Sequence, residues 1–242
     1  MVLVWVRMLP MEKLSLGLIW YFIFLFSTVC HEAAHAWAGM KLGDKTAYEG
    51  GQVSLNPIPH MLREPVGILL APLFTFFSYG WMMGWASTPY NFQWALNYPK
   101  KSALMSLAGP VANLALVVLA ALGIHAGIWA GVLERPAIIH FSSVVVAAQP
   151  GYFGSVATFL SILFTLNLLL FSFNLLPLPP LDGSGVIALF LGEAQARKFL
   201  VAIHHPILSL LAFIVAWNFF YIIFDPVHTV ALNLLYPGSN FQ

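Results

Sequence analysis

Charge is what this chain has least of. Lysine, arginine, aspartate and glutamate make up 8% of its 242 residues, against 60% hydrophobic residues. A soluble domain typically carries about 25% charged residues, so this chain cannot clothe a water-facing surface, and its composition predicts an integral membrane protein. The 10 basic and 9 acidic side chains nearly cancel, with no basic arm or repeat, and give no sign of nucleic-acid binding. Cys30 is the single cysteine, which excludes an internal disulfide framework. Aspartate is the scarcest charged type: only Asp44, Asp182 and Asp225 are present. That scarcity narrows the search for a carboxylate ligand.

What fills the chain is long apolar runs. Residues 14–39, 102–123, 155–176 and 203–224 are each long enough to cross a bilayer, at 1.5 Å of rise per helical residue over about 30 Å of hydrocarbon. Residues 66–85 are apolar but interrupted by Pro72, Gly80 and Gly84, which predicts a broken span or a re-entrant hairpin. Between them, residues 44–59 are polar, and Val53 and Leu55 alternate in a strand-like pattern closed by Asn56-Pro57. Residues 125–154 show no strong period and read as loops with room for an interfacial helix, while residues 185–200 read as a surface-lying helix. The expected fold is an all-α polytopic membrane protein forming a single domain over residues 1–242, with about four full spans, one broken hairpin and a short membrane-associated β element. The first run ends near Ala34-His35-Ala36, which superficially resembles a signal-peptide cleavage site, but a retained helix is expected because the rest of the chain is equally apolar.

Lysine and arginine counts orient such a chain, since cytoplasmic loops carry the excess. If residues 66–85 cross fully, Arg7, Lys13, Lys100, Lys101, Arg197 and Lys198 face Lys41, Lys45, Arg63 and Arg135, a weak bias. If they re-enter, Lys41, Lys45, Arg63, Lys100, Lys101, Arg197 and Lys198 gather on one side against Arg7, Lys13 and Arg135. The second arrangement is the stronger bias, and it puts the end of the first span on the cytoplasmic side.

That end of the first span holds His31-Glu32-Ala33-Ala34-His35. Ionisable residues inside an apolar helix cost about 2.5–3.5 kcal/mol each on insertion scales and are functional suspects. Positions i and i+4 share a helix face, so both imidazoles can grip one metal ion while Glu32 handles a proton, as in the H-E-x-x-H zinc hydrolases. The plain alternative is a pair of histidines satisfying each other in a core. A catalytic zinc takes three protein ligands and leaves one position open. Asp44 and Asp225 lie where solvent can serve them. Asp182 follows an apolar span on the proline-stiffened run Pro177-Leu178-Pro179-Pro180, which could turn it back toward the metal. It is the candidate third ligand.

The chain resembles the site-2 protease family of intramembrane metalloproteases. Three motifs carry the resemblance in the family's order: His31-Glu32-Ala33-Ala34-His35, then Ala108-Gly109-Pro110-Val111-Ala112-Asn113, then Asn174-Leu175-Leu176-Pro177-Leu178-Pro179-Pro180-Leu181-Asp182-Gly183. The resemblance implies one Zn2+ per chain, a core of three helices, His31, His35 and Asp182 as metal ligands and Glu32 as the general base. It implies hydrolysis of peptide bonds in the transmembrane segments of protein partners within the lipid bilayer. It also aligns residues 51–56 with a β element that would hold substrate in extended form, making Val53, Ser54, Leu55 and Asn56 candidate substrate contacts. Asn174 is a candidate for holding substrate backbone or a developing oxyanion, or equally a helix-end hydrogen bond. Asn113 and Gly109-Pro110 read as packing sites. No segment within the chain is long and polar enough for a PDZ or CBS domain. The rival readings are a metal transporter, which has no need of a base beside a ligand, and a pseudoprotease, against which the intact Glu32 argues.

Overall fold

The computed structural model describes residues 10–239 and 241, so Arg7 lies outside the described part. The first helix, α1 (Pro10–Leu42), carries Glu12 in its first turn and Lys41 in its last, each opposite in sign to the helix dipole there. It is followed by the short helices α2 (Thr46–Glu49) and α3 (Pro57–Arg63). A π-helical turn, Val66–Leu70, runs into α4 (Ala71–Tyr79), and α3 meets this unit at a bend of 110°. After α5 (Phe92–Asn97) come the long helices α6 (Pro99–Trp129) and α7 (Phe153–Asn174). The chain ends in α8 (Asp182–Val186), α9 (Glu193–Ile203) and α10 (Pro206–Leu235).

Among the described residues four helices, α1, α6, α7 and α10, are long and apolar enough to cross a membrane. The protein is thus an all-α polytopic membrane protein. Helices α1, α6 and α7 pack on one another as the central bundle, and α10 leans on α7 at the periphery. Only 11% of the apolar window of α10 is buried, against 56% for α7, so most of its surface is left for lipid. Its seat on α7 is an aromatic cluster in which Phe173 meets Phe213, Trp217 and Phe220 edge-on. The bundle core is apolar, built around Trp20, Ile23, Phe24, Ile124, Ile162 and Phe164.

The interrupted run at residues 66–85 is a hairpin whose end returns to its start. The amide of Trp85 donates to the carbonyl of Gly67 at 3.2 Å, so the chain leaves as helix and comes back extended. The crossing is tight. A Cβ on either Gly67 or Gly84 would collide with the other strand's backbone, so only glycine fits at both positions. Arg63 and Ser87 also meet, through Nε–H donation to the Ser87 carbonyl at 3.1 Å, which closes the mouth of the hairpin.

Three expectations need correction. The β element placed at residues 51–56 is not formed: these residues are turns and bends. Short side chains serve the backbone there instead of a ladder. Ser54 Oγ accepts from the Asn56 amide and Asn56 Oδ1 accepts from the Ile58 amide, capping α3, both at 3.0 Å. The small sheet lies elsewhere, pairing Leu133–Glu134 with Val146–Ala147 antiparallel. The last span also runs further than residue 224, through Pro226 to Leu235, because a membrane helix can tolerate a proline whose freed carbonyl is satisfied nearby. Likewise α6 continues past residue 123 to Trp129, taking in His125.

Candidate active site

Three elements bring the site together. One turn of α1 stacks His31 over His35, with ring centroids 4.6 Å apart and planes at 80°. At the end of α7, Pro177, Pro179 and Pro180 leave the backbone unable to continue a helix. The chain turns through a Leu181-to-Leu178 amide–carbonyl bond of 3.0 Å and restarts as α8 with Asp182 as its first residue. That restart delivers the carboxylate to the histidines: Oδ2 lies 3.0 Å from His31 Nε2 and 3.3 Å from His35 Nε2.

The tautomers follow from the partners. His35 Nδ1–H donates to the carbonyl of Met105 at 2.7 Å, and His31 Nδ1–H donates to Asn113 Oδ1 at 2.5 Å. A neutral imidazole so engaged carries no hydrogen on Nε2, and the two Nε2 atoms face each other at 3.0 Å with Asp182 beside them. Two lone pairs and a carboxylate pointed at one spot repel unless a cation or a proton sits between them. The ligand atoms of His31, His35 and Asp182 all lie within 4.8 Å of one another, and this is the one such group of histidine, cysteine and acidic residues among the described residues. A nitrogen–nitrogen–oxygen donor set of this kind suits zinc with a fourth position open. The space is kept clear by Gly109 on α6, since a Cβ there would fall on the Nε2 atoms of both histidines. The donor set and the cradle both fit a single metal ion.

Burial by itself pushes the Asp182 carboxyl up, but the imidazoles of His35 and His31 outweigh it and hold the group below the usual carboxylate range. Glu32 is buried on the wall of the same cavity and accepts a hydrogen bond from Thr88 through Oε2 at 2.7 Å. The cavity measures about 1180 Å³ and opens between α1, the returning arm of the hairpin and α10. It reaches from the histidines to Trp81, Trp85, Asn174 and Trp217.

Of the residues singled out in the sequence, His31, Glu32, His35, Asp182 and Asn174 line this cavity, and Val53, Ser54, Leu55 and Asn56 do not. The Asn174 amide is engaged with its own helix, donating to the Leu170 carbonyl at 3.0 Å. Asn113, read from sequence as a packing residue, touches His31 directly. Thr88 was hidden in a polar connection with no pattern to mark it. Asn167 is fully buried in mid-span, and its polarity there is a signal that the sequence did carry.

Residues 19–219 match the profile of peptidase family M50. Among curated proteins, two provisionally named zinc metalloproteases are similar. One is YwhC of Bacillus subtilis (strain 168), 36% identical over 164 residues, covering 67% of this chain and 64% of that protein. The other is Rip2 of Mycolicibacterium smegmatis, 30% identical over 173 residues, covering 72% of this chain and 57% of that protein. The chain thus spans less than two thirds of the length of either relative. No solved structure matches.

Proposed function

The chain belongs to peptidase family M50, the site-2 protease family, and on that footing we propose that it is an intramembrane zinc endopeptidase acting on transmembrane segments of other proteins. The observation that carries the reading is the convergence of His31 Nε2, His35 Nε2 and Asp182 Oδ2 beside a buried, oriented glutamate. These three side chains would hold the ion, which when bound would supply a positive charge that acidifies water and polarises a carbonyl. Glu32 would take the proton from the attacking water on one carboxylate oxygen and return it to the leaving amine. Thr88 holds the other oxygen and keeps the carboxylate from rotating away. Buried apolar walls exclude bulk water and strengthen each of these interactions. Asn174 is a candidate donor to substrate backbone, its amide being released from Leu170 for that purpose.

A helical substrate hides its peptide bonds in i→i−4 pairs and must be drawn out to be cut, so an exposed edge with vacant backbone groups is needed. The returning arm of the hairpin supplies one. Met83 N–H is bonded to Thr75 Oγ1, Trp85 N–H to Gly67 and the Ser87 carbonyl to Gln52 and Arg63, so odd-numbered residues face their own protein. Backbone groups alternate along an extended chain. Those of Gly84, Ala86 and Thr88, on a stretch that lines the cavity, have no backbone partner among the described residues and would be the ones open to a substrate strand. This edge supports substrate pairing where residues 51–56 do not.

The re-entrant geometry also favours the seven-to-three distribution of Lys and Arg described above, with Arg197 and Lys198 on α9 and Lys100 and Lys101 on α6 on one side. The active site then faces the cytoplasm. The test is zinc content and cleavage of a model transmembrane substrate, wild type against Glu32→Gln. The reading requires the variant to keep zinc and lose cleavage; a variant that binds and cleaves like wild type refutes it.

A further inference from the structure

Behind His31 lies a line of buried amides that no part of the proposed chemistry uses. Asn113 on α6 accepts from His31 Nδ1–H, and its own Nδ2 donates to Asn167 Oδ1 on α7 at 2.8 Å. Asn167 Nδ2 in turn donates to the Leu163 carbonyl at 2.8 Å and to Ser27 Oγ, back on α1, at 2.9 Å. Ser27, Asn113 and Asn167 are all fully buried. Three helices of the central bundle are thus joined by one polar chain.

The chain has a direction, and its direction is set at one end. The Leu163 carbonyl can only accept. It therefore holds the NH₂ side of Asn167 toward itself and leaves Oδ1 toward Asn113. An oxygen there can only accept, so Asn113 must present its NH₂ to Asn167 and its oxygen to His31. That oxygen in turn requires the hydrogen of His31 on Nδ1. Reversing Asn113 would place two oxygens face to face and put an N–H against Nδ1, which would drive the hydrogen to Nε2, where the ion must bind. His35 needs no such device, because its Nδ1 meets a backbone carbonyl directly.

We propose that the relay from the Leu163 carbonyl through Asn167 and Asn113 sets the tautomer of His31, so that Asn113 and Asn167 are positioning residues that keep Nε2 of His31 available to the metal. The inference rests on the zinc reading of the site. Ser27 takes part as an acceptor whose hydroxyl can turn, and so it does not set the polarity.

The test is a double-mutant cycle read by zinc affinity, measured by chelator competition on the full-length protein in detergent. Asn167→Leu removes the acceptor that orients Asn113 and should weaken zinc binding by about 10-fold to 100-fold, the usual effect of losing support behind a ligating histidine. Asn167→Asp, ionised or not, keeps an oxygen toward Asn113 and should restore affinity. Asn113→Asp presents only oxygens to His31 and needs no orienting partner, so adding Asn167→Leu to it should cost no further affinity. If Asn167→Leu weakens zinc equally in both backgrounds, Asn167 acts by packing alone and the relay is refuted. Zinc-loaded wild-type protein with ¹⁵N-labelled histidine gives a readout independent of any variant's folding. The relay requires His31 to be ligated through Nε2 with its hydrogen on Nδ1, and ligation through Nδ1 overturns it. Failure of the zinc reading itself is distinguishable, since wild-type protein would then bind no zinc.

Discussion

The Thr88 hydroxyl lies 2.7 Å from Glu32 Oε2 and 3.0 Å from the Glu32 backbone carbonyl, so the returning arm of the hairpin meets Glu32 at both its side chain and its backbone. One hydroxyl hydrogen serves one acceptor at a time, and a carboxylate is a stronger acceptor than a backbone carbonyl. A hydrogen bond to a buried charged group contributes about 1.5–3 kcal/mol. Thr88→Val keeps the shape and loses the donor. It should lower kcat by about tenfold to a hundredfold, leave zinc affinity unchanged, and be rescued by Thr88→Ser. A fall in zinc affinity of similar size would mean that Thr88 supports the ligands instead of the base.

Gly109 is required by space, not by backbone conformation, since it lies inside α6. Alanine is the better helix former by about 1 kcal/mol, but its Cβ would lie within 2.5 Å of the Nε2 atoms of two buried histidines, so Gly109→Ala should also destabilise the metal-free protein. Its methyl group would occupy the position shared by the two Nε2 atoms. Zinc affinity should fall by at least about a hundredfold, beyond the usual cost of a lost supporting contact. Thermal unfolding with and without chelator checks both halves. Wild type should lose stability on chelation, and the variant should show no difference.

Metal binding should depend on pH through the histidines. Burial raises the Asp182 carboxyl, yet the neighbouring imidazoles hold it below the usual carboxylate range, so it stays ionised in mild acid. A ligating imidazole must lose its proton first. Zinc affinity should therefore fall as the pH falls, protons competing with the ion for the two imidazoles. Asp182→Asn should lower affinity at every pH, since it removes a charged ligand from beside both Nε2 atoms. Chelator competition across a pH series decides it, and an affinity that is independent of pH, or unchanged in the Asn variant, would overturn this ligand set.

How much of this was legible beforehand depends on whether the signal was local. The pairing of His31 with His35 is one turn of helix, and the stop at Pro177, Pro179 and Pro180 is a property of proline, so both could be read from the letters. Asn113 and Asn167 were visible as polar residues inside apolar spans, but which way Asn113 points depends on the Leu163 carbonyl of the neighbouring helix, reached through Asn167. Thr88 reaches Glu32 only because a glycine pair lets the hairpin close. The strand-like alternation of Val53 and Leu55 misled because Ser54 and Asn56 bond their own backbone, a competition that alternation does not report. The extended edge formed instead at residues 83–88, where Gly84, Trp85 and Thr88 show no clean alternation, and its partner is the turn at Gly67.

That relocation can be tested by removing one backbone donor at a time. Proline lacks the N–H and leaves the carbonyl. At Ala86, on a stretch that lines the cavity, the amide has no partner among the described residues, so Ala86→Pro costs no internal hydrogen bond. It should abolish or cut by at least about tenfold the cleavage of a transmembrane substrate, if a pairing bond of about 1–1.5 kcal/mol is lost along with the register of its neighbours. Zinc affinity and thermal stability should remain near wild type. Val53→Pro is the control: residue 53 lies outside the cavity, in a segment that pairs with no strand, and cleavage should be unaffected. The opposite pattern, cleavage lost with Val53→Pro and kept with Ala86→Pro, would return the substrate edge to residues 51–56. It would mean that this segment reorganises into a strand when substrate arrives.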